Sequence, residues 1–159
     1  MKYLRIISAL SLALFCAGSV NAQDERPAAA STQDYKMGVG VRLSSNPAAV
    51  NNSITFKYFL NEQTAIEALF SFGDPLAVGL LFEKHRPLAN SSFRFFYGGG
   101  GYVSAKGPRN TGLQGVAGLD YKLPSAPINF SLDWKPELNV WREFSFEPAA
   151  LGLSARFTF

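Results

Sequence analysis

Leu151-Gly-Leu-Ser-Ala-Arg-Phe-Thr-Phe159 ends the chain with Leu151, Leu153, Ala155, Phe157 and Phe159 at alternate positions and Gly152, Ser154, Arg156 and Thr158 between them. That is the period of a β-strand with one apolar and one polar face, because successive side chains of a pleated backbone point to opposite sides. The segment beginning at Tyr35 repeats the pattern. Tyr35, Met37, Val39, Val41 and Leu43 alternate with Lys36, Gly38, Gly40, Arg42 and Ser44.

Six further segments lie between these two, near 53–60, 64–72, 76–84, 93–104, 113–122 and 127–140, and predict eight strands in all. Turn-forming residues separate them: Ser45-Asn-Pro47, Asn61-Glu62, Gly73-Asp-Pro75, Asn90-Ser-Ser92, Lys106-Gly-Pro108 and Pro124-Ser-Ala-Pro127. Phe144 and Phe146 fall out of phase with Leu151 onward, so a bulge or loop is expected around Glu147-Pro148. The 14 Phe, 6 Tyr and 14 Gly in 159 residues suit a β-rich chain and exclude a disordered one.

Which face meets which solvent decides the class. The non-apolar face carries Lys36, Arg42, Lys57, Arg94, Lys122, Lys135 and Arg156 against Glu67, Glu83, Asp120, Asp133 and Glu137, interspersed with glycines. With this face outward, the large aliphatic and aromatic side chains would overfill the interior of an eight-stranded barrel. With it inward, nearly balanced charges fill a narrow lumen and the apolar side chains face hydrocarbon, which a tilted strand of about 9–11 residues crosses. Apart from the export signal, no apolar run is long enough for a helical span. Closure into a barrel is then the way to satisfy every backbone polar group in lipid. The expected fold is therefore an all-β, eight-stranded antiparallel up-and-down transmembrane β-barrel over residues 35–159.

The N-terminus reads as an export signal over residues 1–22: Lys2 and Arg5, an apolar stretch from Ile6 to Ala17, and the small-x-small pattern Val20-Asn21-Ala22. Residues 23–34 read as a flexible leader. Cleavage removes Cys16, the only cysteine, which leaves no disulfide and no thiol chemistry in the mature chain. Phe15 is bulky where a lipid-attachment site needs a small residue before the cysteine. Removing Lys2 and Arg5 leaves 13 basic against 12 acidic residues, with no basic cluster to bind nucleic acid.

Three sequence features resemble those of small outer-membrane β-barrels of the OmpX-like family: Ala155-Arg-Phe-Thr-Phe159, the strand Phe95-Phe-Tyr-Gly-Gly-Gly-Gly-Tyr102, and Gly118-Leu-Asp-Tyr121 with the run Pro127–Leu138. The resemblance implies a bacterial outer-membrane location. It also makes Phe157 and Phe159 part of an assembly signal read by the barrel-assembly machinery, and outer-membrane lipids the surroundings. It implies no activity. The expected role is structural, adhesive or surface-interacting, in a monomer with no catalysis and no cofactor. The alternatives are a soluble periplasmic lipocalin-like carrier and a lipid-modifying outer-membrane barrel enzyme.

Arg42, Glu67, Arg94, Asp120, Asp133, Lys135, Glu137 and Arg156 are the expected lumen charge network. Paired carboxylates can do acid–base chemistry, but buried charges need partners in any case, so ion pairing is the preferred reading. Tyr35, Tyr58 and Tyr121 are expected in an aromatic girdle near the terminal rim, with Trp134 and Trp141 toward the opposite rim. Gly98–Gly101 lacks the following Lys-Ser/Thr of a phosphate loop. It reads instead as room for Phe96, Tyr102 or a long arginine to cross the lumen. His85, the single histidine, has no second histidine for a metal site and reads as an exposed turn residue before Arg86-Pro87. A lipid-deacylating barrel would instead have His-x-Ser there.

Overall fold

Each alternating segment pairs antiparallel with the next in sequence, so hairpins make every connection. A computed structural model describes residues 35–45, 49–72, 76–88, 92–105, 111–141, 144–148 and 150–159. The strands are β1 (Met37–Ser44), β2 (Ser53–Asn61), β3 (Thr64–Ser71), β4 (Ala77–Pro87), β5 (Phe93–Ser104), β6 (Thr111–Lys122), β7 (Ile128–Trp134), β8 (Glu137–Asn139), β9 (Ser145–Glu147) and β10 (Leu151–Thr158). The signal peptide and leader read at 1–22 and 23–34, with Cys16, lie outside the described residues, as do 46–48, 73–75, 89–91 and 106–110.

β1 pairs with β10 from Gly38 opposite Thr158 to Ser44 opposite Gly152, and this closes the sheet on itself. β7 and β8 both pair with β6 and form one stave. It is interrupted at Lys135-Pro136, where proline has no N–H to give to the ladder. The inward parity of Asp133 continues across the break to Lys135, Glu137 and Asn139. β9 and β10, paired to β8 and β7, form the last stave. The ten segments are eight staves, and the chain is an all-β, eight-stranded antiparallel up-and-down barrel.

Phase changes inside the last stave. Phe146 faces outward from an even position and Leu151 from an odd one, so the phase changes between β9 and β10, as expected around Glu147-Pro148. The Trp134 indole N–H on the outer wall donates to the Pro148 carbonyl at 2.5 Å, satisfying an acceptor beside that break.

The wall is inside-out relative to a water-soluble protein. Outward positions hold exposed Val41, Leu43, Ile54, Phe70, Leu80, Phe82, Leu113, Leu132 and Leu153, with Leu132 at 57% exposure. Inward positions hold buried Arg42, Lys57, Glu67, Glu83, Asp120, Asp133 and Arg156, with Lys57 at 0%. Phe157 and Phe159 both face outward, their rings 5.0 Å apart.

Two aromatic positions differ from expectation. Tyr35 is buried, and its ring meets that of inward-facing Phe59 edge-on at 5.3 Å, so it belongs inside the terminal mouth rather than in an outer girdle. The cause is local. The N–H groups of Lys36 and Met37 both donate to the Phe159 carbonyl, at 2.8 and 3.2 Å, so strict alternation does not extend back to Tyr35. Trp134 faces outward but stands opposite Ala117, half-way along β6. Its stave runs on through β8, so Trp134 lies within the wall rather than at a rim. Tyr58 and Tyr121 are half-buried near the terminal end, Tyr58 beneath the Lys36 ammonium and Tyr121 beside the Phe93 ring, while Trp141 is exposed at the other.

Candidate functional site: the plugged lumen

The period-two inward positions of different staves converge on the axis and form two ionic clusters. Toward the loop end, Arg42 of β1 donates to Asp133 of β7 through two bonds, Nε to Oδ2 at 3.1 Å and Nη2 to Oδ1 at 2.5 Å. This forked geometry fixes orientation as well as charge. Beside it, Lys135 Nζ donates to Glu137 Oε1 at 2.6 Å and to Gln114 Oε1 at 3.3 Å.

A segment of the β1–β2 connection folds down onto this pair. Ala49 N–H donates to Glu137 Oε2 at 2.7 Å and Val50 N–H to Oε1 at 3.4 Å, while Lys135 Nζ donates to the Val50 carbonyl at 3.1 Å. The ion pair thus supplies hydrogen-bond partners for backbone that would otherwise be buried unpaired. Ala49 and Val50 pack with Leu69, Ala77, Leu81, Phe96, Tyr102 and Val116 as an apolar plug inside the barrel.

Toward the terminal end, Arg156 of β10 contacts Glu67 of β3 and Ser131 of β7, and donates to Thr55 Oγ1 at 3.1 Å and Asn129 Oδ1 at 3.3 Å. Lys57 Nζ lies 2.9 Å from Glu83, 3.4 Å from Glu67 and 3.7 Å from Asp120. It also stands 4.5 Å from the centre of the Phe96 ring, close enough for a cation–π contact. This cluster ties β2, β3, β4, β6, β7 and β10 together across the lumen.

His85 is a correction to the sequence reading. It is no exposed turn residue: β4 continues through Pro87, opposite Arg94, and His85 keeps the inward parity of Gly79, Leu81 and Glu83. Its exposure is 0%, and its ring lies between Phe59 at 4.8 Å and Phe96 at 5.2 Å, stacked on the latter. Nε2 is 3.0 Å from Glu83 Oε2 and Nδ1 is 3.3 Å from Asp120 Oδ2. Following the alternation two residues beyond Glu83 would have found it. Lys57 and Glu83, on the charged parity but not singled out beforehand, are central to the same cluster.

Of the eight expected network residues, Arg42 meets Asp133, Lys135 meets Glu137, and Arg156 meets Glu67. Asp120 reaches the second cluster through Lys57 and His85. Arg94, opposite Asp120 in register near the terminal mouth, donates from its guanidinium to the Glu62 carbonyl at 2.8 Å. Among the described residues, no group of three or more His, Cys, Asp or Glu side chains is arranged to hold a metal ion.

Glycines make room for the crossing side chains. A Cβ on Gly118 would stand 2.8 Å from the Phe96 ring, one on Gly112 would stand 2.6 Å from the Tyr102 phenol, and one on Gly152 would strike the Arg42 guanidinium. Gly118→Val is therefore expected to destabilise the barrel by about 1–3 kcal/mol through overpacking. Gly99→Ala, whose Cβ would meet only the Gln114 carbonyl at 3.4 Å, should change stability by less than about 0.5 kcal/mol. Urea unfolding in detergent micelles, read as the shift from folded to unfolded gel bands, compares the two.

No protein-family model matches the chain, and no curated protein matches it. Among solved structures, the crystal structure of Neisserial surface protein A (NspA) is similar, with a TM-score of 0.45 and 10% identity over 78% of this chain and 95% of that one. A likeness of this size carries no functional inference. The fold rests on the closed ladder, and its wall is ionic inside and apolar outside, a polarity that suits lipid surroundings.

Proposed function

We propose that the chain is an integral protein of the bacterial outer membrane, a small barrel of the OmpX-like kind. In this reading its sealed lumen holds the staves together and its loop end serves a structural, adhesive or surface-interaction role. The observation that carries the reading is the inversion of polarity: buried ion pairs along the axis and an exposed apolar wall. The Ala49–Val50 plug and the Arg42–Asp133 fork fill the lumen at the loop end, which favours a sealed barrel over a carrier or a pore. A lipid-modifying enzyme would need its histidine on the lipid-facing wall, whereas His85 points inward between two aromatic rings.

Fractionation tests the proposal. The protein should partition with the outer membrane, need detergent for extraction, and migrate differently on gels when unboiled. Recovery in the detergent-free periplasmic fraction would favour the carrier instead. Deleting Phe159 is expected to lower the amount of unboiled, fast-migrating barrel in membranes, because the assembly machinery is proposed to read the outward aromatic pair of β10. Wild-type levels of folded protein after that deletion would remove Phe159 from the assembly role.

A further inference from the structure

Glu83, His85 and Asp120 present a valence problem that the ion pairs alone do not solve. Each imidazole nitrogen faces a carboxylate, Nε2 toward Glu83 at 3.0 Å and Nδ1 toward Asp120 at 3.3 Å, and all three side chains are buried. A neutral imidazole has one N–H. It can donate to one carboxylate, and its other nitrogen then points a lone pair at the second, placing two acceptors face to face where water does not reach. One additional proton removes the conflict, either on the ring, which then donates to both sides, or on a carboxyl group, which then donates to the ring.

The surrounding charges favour the same occupancy. Among the described residues, Lys57 from β2 and Arg156 from β10 are the cations within 4 Å of Glu67 from β3, Glu83 from β4 or Asp120 from β6. Among these five groups two cations stand against three carboxylates, and an uncompensated negative charge is costly in a closed lumen. Arg94 of β5 stands opposite Asp120 in register and donates to the Glu62 carbonyl, and the buried Tyr35 ring meets Phe59 edge-on at the same mouth. We infer that the Glu83–His85–Asp120 array is a proton-binding site, holding one proton as a structural component of the folded lumen.

Glu83→Gln mimics the occupied site permanently. The amide donates to Nε2 and the imidazole donates to Asp120, so the variant needs no extra proton. Proton uptake is to be measured as each chain folds from urea into detergent micelles at pH 8, where unfolded Glu, Asp and His, with ordinary pKa values of about 4.3, 3.9 and 6.5, are essentially all in their basic forms. Wild type is expected to take up one proton more per chain than Glu83→Gln. Equal uptake would overturn the inference. Should the variant not fold, ring nitrogen-15 NMR of the folded wild type decides, since His85 is the single histidine. Its two nitrogen signals are expected to hold constant between pH 6 and pH 9, and a titration step in that window would show that the array does not keep its proton.

Discussion

Arg156→Leu is expected to destabilise the folded barrel by about 3–5 kcal/mol, the cost of removing one partner from a buried ion pair. The guanidinium contacts Glu67 and Ser131 and donates to Thr55 and Asn129, so its loss leaves acceptors on β2, β3 and β7 unpaired in a space closed to water. Lys57, 3.4 Å from Glu67, compensates in part. The double variant Arg156→Leu/Glu67→Leu should be markedly less destabilised than the sum of its single variants, because it removes the stranded charge together with its partner. Guanidinium unfolding of the four chains in detergent micelles measures the coupling. Additive losses would mean that the two side chains do not form one buried unit.

Leu132→Arg is expected to cost about 2–4 kcal/mol when the protein is folded in lipid vesicles, the penalty of a cation at mid-membrane depth on a barrel wall. Leu132 lies on the outer face of β7, flanked in register by Leu119 and Leu153, with no carboxylate on that surface row. The same substitution on a water-facing wall would change stability by less than about 0.5 kcal/mol. Stability measured in vesicles therefore tells which medium the wall meets.

Alternation made the eight staves and the direction of most side chains legible in advance, because a period of two fixes the face of every residue once one is known. Arg42, Asp133, Lys135, Glu137 and Arg156 could thus be placed in the lumen without coordinates. Their partners could not. Arg42 of β1 reaches Asp133 of β7 across the intervening β10, a pairing set by register and side-chain length rather than by adjacency in sequence. His85 was misread because Arg86-Pro87 suggested a strand end, whereas a proline at the last position of β4 ends the ladder without displacing the residues before it. Tyr35 was misread because two N–H groups share the Phe159 carbonyl and break the period. The inward fold of Ala49 and Val50 leaves no mark in the sequence, since two small apolar residues in a connection do not say whether they cover a mouth or stand clear of it.

The medium of the outer wall can be read from its two tryptophans. Trp134 lies in mid-stave on the exposed face and Trp141 at the loop end, so a Trp141→Phe variant reports on Trp134 alone. Folded into vesicles, its fluorescence should be quenched strongly by lipids brominated along the acyl chain and weakly by aqueous acrylamide. Efficient acrylamide quenching with no response to brominated lipid would put the greasy wall in water and contradict the membrane barrel.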